Sequence, residues 1–122
     1  MKKKVLIAED SSVIQNLARK ILQFQNYEIT AVKNGQQVLD NLNKTAFDVI
    51  IMDINMPVMD GMKASEEIRN RTDDKAKTPI IVISGNAKNY SEEDFKRVGV
   101  NAYLPKPLNF DELVEKVNEL SN

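Results

Sequence analysis

At 122 residues the chain suits one domain, with an expected radius of gyration of about 14 Å and roughly two-thirds of its surface buried on folding. Hydrophobic residues make up 42% and charged residues 29%, too apolar for a disordered chain, and a net charge of -1 gives no general affinity for nucleic acid. The sequence holds no cysteine and no histidine, which excludes disulfides, thiol nucleophiles, thiolate metal sites and imidazole bases and leaves carboxylates, hydroxyls, lysine and backbone for any chemistry.

The first apolar run, Val5-Leu6-Ile7-Ala8, predicts a strand over 4–8 and ends in Glu9 and Asp10. Val13, Ile14, Leu17, Ala18, Ile21 and Leu22 then recur at helical spacing, which predicts a helix with these six on one face. Segment 27–32 reads as a strand mixed with polar residues, and 35–43 as a short helix. Val49-Ile50-Ile51-Met52 predicts a fully buried strand over 48–53, closed by Asp53; a helix near 61–70 follows, and Arg69 to Thr78 reads as a helix end and loop. Strand 79–84 ends in Ser84, before Gly85-Asn86. Ser91-Glu92-Glu93-Asp94 opens a helix to residue 98 with a capping-box pattern, and Gly99 ends it. A short strand at 102–104 leads through Pro105-Lys106-Pro107 to a last helix carrying Phe110, Leu113, Val114, Val117 and Leu120.

These are five βα units. Continuous apolar runs belong to the centre of a parallel sheet and mixed or short ones to its edges. With right-handed crossovers, the expectation is an α/β fold: a doubly wound five-stranded parallel sheet, order 2-1-3-4-5, with five helices. No linker or repeat interrupts residues 1–122, so a single domain is expected. No apolar run exceeds four residues, so neither a membrane span nor a secretory signal is evident, and a cytoplasmic location is expected.

The switch point of that sheet lies between strands 1 and 3, where Glu9, Asp10 and Asp53 would meet at the strands' C-terminal ends. Two charges 4 Å apart interact by about 4 kcal/mol at an effective dielectric near 20, so such a cluster calls for a cation or a proton. Oxygen-only ligands select Mg²⁺, Mn²⁺ or Ca²⁺, and few carboxylates with room for water or phosphate favour Mg²⁺. Alternatively, Asp10-Ser11-Ser12 merely caps the helix. Lys106 falls at the same sheet edge, in a segment stiffened by prolines, and Lys106-Pro107 is a bond of the kind that adopts the cis form cheaply. A solvated lysine and a turn-forming Ser84 are the plainer alternatives for those two residues. A carboxylate, a hard cation, a lysine and a hydroxyl are together the parts needed to receive a phosphoryl group on aspartate.

Over essentially its whole length the chain resembles the receiver domains of two-component response regulators, the chemotaxis regulators among them. The resemblance is carried by Ala8-Glu9-Asp10-Ser11-Ser12, Ile51-Met52-Asp53-Ile54-Asn55-Met56-Pro57-Val58-Met59-Asp60-Gly61, Ile83-Ser84-Gly85-Asn86 and Asn101-Ala102-Tyr103-Leu104-Pro105-Lys106-Pro107. It implies a flavodoxin-like fold and phosphorylation of Asp53, with Mg²⁺ held by Asp53, Asp10, the backbone carbonyl of Asn55 and, through water, Glu9. Ser84 and Lys106 would contact the phosphoryl group, and Tyr103 would change rotamer as Ser84 moves, unless it is plain edge-strand packing. Gly85 stands where the family commonly has alanine, which loosens that loop. Asn55 and Asn86 would flank the path of the hydrolytic water and tune the lifetime of the phosphorylated form.

Such a domain catalyses its own phosphoryl transfer and slow dephosphorylation and is otherwise a switch rather than an enzyme. A chain without histidine needs a phosphodonor on another chain or domain, a histidine kinase or phosphotransfer protein. By the same resemblance, the last helix, the last strand and the 86–98 segment would meet the downstream protein; no direct nucleic-acid contact and no membrane insertion are expected. A single-domain regulator and a receiver from a longer protein such as a hybrid kinase are both open, Met1 with three following lysines favouring a native start. The competing readings are a haloacid-dehalogenase-like Mg²⁺ phosphatase, whose usual second aspartate is Asn55 here, and a receiver-like module that is never phosphorylated.

Overall fold

The structure, a computed structural model, describes residues 2–85 and 90–122. Five parallel strands, β1 (Lys4–Ala8), β2 (Glu28–Val32), β3 (Val49–Asp53), β4 (Ile80–Ser84) and β5 (Ala102–Pro105), form one sheet in the order β2-β1-β3-β4-β5. The helices are α1 (Ser12–Phe24), α2 (Gly35–Leu42), α3 (Gly61–Arg69), α4 (Glu92–Val98) and α5 (Phe110–Leu120). This is the predicted fold. A short 3-10 helix, Asp74–Lys77, stands in the stretch read as loop.

The three central strands are buried almost throughout because both sheet faces are covered, each by its own apolar cluster. Leu6, Ile50, Met52, Ile80 and Val82 face one cluster with Val38, Leu42, Ile68 and Phe95. Val5, Ile7, Val49, Ile51, Ile81 and Ile83 alternate into the other, with Ala18, Leu22, Leu113 and Val117 of α1 and α5. Burying one such aliphatic side chain contributes about 1.5–3 kcal/mol.

Along α1 the structure corrects one expectation. Ala18 and Leu22 are buried and Ile14 and Ile21 partly so, but Val13 is 69% and Leu17 45% exposed. The apolar stripe is wider than the sheet can cover, and the burial centres on the side where Gln15 also lies. Val13 and Leu17 instead line up with Phe24, 88% exposed, on the outer face.

Helix ends follow local chemistry. Ser11 Oγ accepts from the Ile14 N–H at the start of α1, and Asp60 from the Lys63 N–H at the start of α3. Ser91 and Asp94 form the predicted capping box of α4, and Gly99 ends that helix at φ 90°, a left-handed conformation that glycine adopts without a Cβ clash. No described helix is long and apolar enough to cross a membrane.

Candidate functional site

Parallel register brings the first strand ends together. Ala8 pairs with Met52 and Asp53 with Ile83, so Glu9, Asp53 and Ser84 all fall at the C-terminal edge of adjacent strands. Ligand oxygens of Glu9, Asp10 and Asp53 lie within 4.8 Å of one another. Glu9 and Asp53 are each 1% exposed, while Asp10 faces solvent. Capping falls to Ser11, which leaves both preceding acids to the cluster.

Lys106 enters from the loop after β5, its N–H donating to the Ser84 carbonyl at 2.8 Å. The Lys106-Pro107 peptide bond is cis. Lys106 Nζ donates to Asp53 Oδ2 at 2.7 Å and lies 3.8 Å from Glu9 Oε2. The Asn55 N–H donates to Asp53 Oδ1 at 3.2 Å. Burial pulls the Lys106 ammonium down in pKa, but the hydrogen bond and charge of Asp53, with the charges of Glu9 and Asp10, outweigh this and leave it above the ordinary lysine value. Lys106 is thus a charged partner of the acids and not a solvated surface lysine.

Three carboxylates against one ammonium leave excess negative charge, and Glu9 carries the strain. Its Oε1 accepts from the Ser11 N–H at 3.1 Å, while Oε2 is buried without a hydrogen-bond partner among the described residues. Burial first, then contact with Asp53, push Glu9 up to about 7, against the pull of the Ser11 N–H and the Lys106 charge. An all-oxygen donor set with an orphaned buried oxygen fits a hard divalent cation. Burying such a group without any partner would be costly.

Ser84 is 3% exposed at the end of β4. Tyr103 stands opposite Val82, two positions before Ser84, and stacks on Phe95 with ring centroids 4.6 Å apart. It therefore packs against α4, on the sheet face away from α1 and α5. Gly85 is exposed, and a Cβ there would come 3.3 Å from Lys106 Cδ. Asn86, and the 86–89 part of the expected docking segment, lie outside the described residues.

Two residues outside the predicted site set, Gly61 of the quoted motif and Gln15, also shape the site. A Cβ on Gly61 would meet the Asp53 carbonyl oxygen at 2.4 Å, so only glycine lets α3 start against the end of β3. Its place in the Met56–Gly61 loop was legible, but this steric demand was not. Gln15 is 9% exposed, and its Nε2 donates to the carbonyls of Glu9 and Val32. A lone polar residue within an apolar helical stripe was the available signal.

Residues 5–118 match the family described as the response regulator receiver domain. Hybrid signal transduction histidine kinase I of Dictyostelium discoideum is 36% identical over 121 residues, which covers 94% of this chain and 7% of the kinase. The chain thus spans a small part of that relative's length. Chemotaxis response regulator CheY4 of Vibrio cholerae shares the fold at a TM-score of 0.88 and 31% identity, covering 98% of this chain and 99% of its own. The receiver domain of sensor histidine kinase PA1611 from Pseudomonas aeruginosa PAO1, solved with a magnesium ion coordinated in its active-site cleft, gives a TM-score of 0.89 at 30% identity, covering 99% and 98%. With this family match the haloacid-dehalogenase-like reading is set aside. The chain belongs to the response regulator receiver domain family and is a phosphoacceptor receiver domain of two-component signalling.

Proposed function

We propose that Asp53 is the phosphoacceptor and that Glu9, Asp10, Asp53 and the Asn55 carbonyl hold Mg²⁺ beside it. One observation carries this reading: Asp53, 1% exposed at the end of a central strand, has Lys106 Nζ at 2.7 Å and two further carboxylates within 4.8 Å. An Asp53 oxygen attacks the phosphorus of a phosphohistidine on the donor; the O–P bond forms as the P–N bond breaks, and the imidazole leaves with a proton from solvent. When bound, Mg²⁺ neutralises charge on the transferring oxygens. Lys106, with its Nζ 2.7 Å from Asp53 Oδ2, would share that task, and the buried Ser84 hydroxyl would donate to a phosphoryl oxygen. The Asn55 N–H orients the acceptor carboxylate.

Receiver domains take their phosphoryl group from histidine kinases, and we assign that donor, or a histidine phosphotransfer protein, to this chain. Ser84, once it binds the phosphoryl group, draws Tyr103 and the α4–β5 face with it, and that face with α5 presents the altered surface to a downstream protein. Asn55, with Asn86, sets how readily water reaches the acyl phosphate.

Incubation with acetyl phosphate and Mg²⁺, followed by intact mass and adduct mapping, tests the assignment. One phosphate on Asp53, lost in Asp53→Asn, is the expected result. Mg²⁺ binding without any adduct would instead identify the never-phosphorylated module.

A further inference from the structure

The β1–β2 ladder ends where the acidic turn begins. Ala8 pairs with Val32, and the last ladder bond runs from the Glu9 N–H to the Val32 carbonyl at 3.1 Å. Beyond it, the Glu9 carbonyl has no strand partner among the described residues. Gln15, one turn into α1, supplies one: its Nε2 donates to the Val32 carbonyl at 2.8 Å and to the Glu9 carbonyl at 3.2 Å. A carboxamide nitrogen carries two hydrogens, and both are used here. The Glu9 main chain is therefore held at two points: its N–H bonds directly to the Val32 carbonyl, and its carbonyl is tied to that same Val32 oxygen through the Gln15 side chain, which is only 9% exposed.

The turn so held is the one under electrostatic load. Glu9 Oε2 is buried and lacks a hydrogen-bond partner among the described residues, and the oxygens of Glu9, Asp10 and Asp53 crowd within 4.8 Å. Without a cation, mutual repulsion drives the turn outward, away from β3. We infer that Gln15 is a positioning residue for cation binding, holding the Glu9–Asp10 turn in place so that the cation meets a preformed set of oxygens. This rests on the reading that the acidic hollow takes Mg²⁺. Gln15 acts through the backbone, its carboxamide nitrogen bonding the Glu9 and Val32 carbonyls rather than the carboxylates of the cluster. Residues that orient ligands in this way alter metal affinity by about 10–100-fold when replaced.

The test is calorimetric titration of MgCl₂ into the wild type, Gln15→Met and Gln15→Arg, together with the rate of phosphorylation by acetyl phosphate as Mg²⁺ is raised. Met keeps the length and loses both donors, whereas Arg keeps donors enough for two carbonyls. Gln15→Met should bind Mg²⁺ about tenfold more weakly and need correspondingly more of it to reach half the maximal rate, with that maximal rate unchanged; Gln15→Arg should restore the affinity. Equal affinity in wild type and Gln15→Met overturns the inference alone, as does a Gln15→Arg variant no better than Gln15→Met. A wild type that takes up no Mg²⁺ overturns the inference and the reading beneath it together. Should Gln15→Met not fold, the wild type still decides: the Gln15 carboxamide protons should exchange slowly and shift in the NMR spectrum on Mg²⁺ addition. Exchange as fast as that of the exposed Gln23 would overturn the inference.

Discussion

Glu9 shows how one residue can tie stability to the cation. Its folded-state pKa is pushed up to about 7 from the ordinary 4.5, first by burial and then by contact with Asp53. Between those values the folded chain holds a proton that the unfolded chain has released, so stability falls as pH rises through the window. The melting temperature in EDTA should therefore decrease from pH 5 to pH 7.5. Saturating Mg²⁺, which binds the folded form, should raise it by an amount that grows with pH; at 100 times its dissociation constant a ligand contributes about 2.7 kcal/mol. A metal-free melting temperature that climbs across this range would contradict the placement of Glu9. Val58 offers a second prediction at this scale. It is a β-branched residue at φ 67°, 81% exposed, with the Met59 N–H donating to the Pro57 carbonyl at 2.7 Å around it. A turn closed from residue i to i+2 with positive φ at its centre is rare and strained, and asparagine is enriched over valine at positive φ. Val58→Asn should stabilise the domain by about 0.5–1 kcal/mol in urea unfolding.

The elements carry the site because two of them end or begin against Asp53. β3 delivers the carboxylate, and α3 starts so close that a Cβ on Gly61 would strike the Asp53 carbonyl. Gly61→Ala should cost about 1–3 kcal/mol, as overpacking does, and should slow phosphorylation by displacing the acceptor. Normal stability in that variant would show that α3 shifts freely. At this scale the strands were the most legible feature: uninterrupted apolar runs marked β1, β3 and β4 as central, and the polar residues of β2 and shortness of β5 marked the edges. Their terminal acids, Ser84 and Lys106 could thus be placed at one edge before any coordinates. Which half of α1's broad apolar stripe is buried was not legible, because Val13 and Leu17 are as hydrophobic as Ile14 and Ile21, and the sheet's width decides among them. Arg69 escaped notice for a similar reason. Its guanidinium donates to the carbonyls of Gly99, Ala76 and Thr78 and to Asn101 Oδ1, joining α3 to β4 and β5 through residues up to 32 positions away. No local pattern encodes bonds of that range.

For the whole molecule the question is how far one phosphoryl group moves the population. The site sits on the sheet edge, and the proposed route outward would pass along β4 to the neighbouring strand, where Tyr103 stacks on Phe95 and Phe95 in turn meets Tyr90 with ring centroids 6.2 Å apart. Phosphorylation adds charge-assisted hydrogen bonds worth about 1.5–3 kcal/mol each, and the switch proposed above would have it move Tyr103 against an aromatic stack contributing about 0.5–1.5 kcal/mol. A shift from 1:99 to 99:1 takes about 5.5 kcal/mol. One or two new bonds, less the stack, reach about 5.5 kcal/mol only at the extreme of these ranges and otherwise fall short, so the phosphorylated domain alone should populate both states and a bound partner should complete the change. In NMR spectra recorded with acetyl phosphate and Mg²⁺, Tyr103 and α4 amides should move part of the way along a line that further binding extends. Phe95→Ala removes the stack, and it should carry those resonances farther along the same line at equal phosphorylation. Resonances already at the endpoint without a partner, or unmoved by Phe95→Ala, would mean that the switching energy lies elsewhere in the fold.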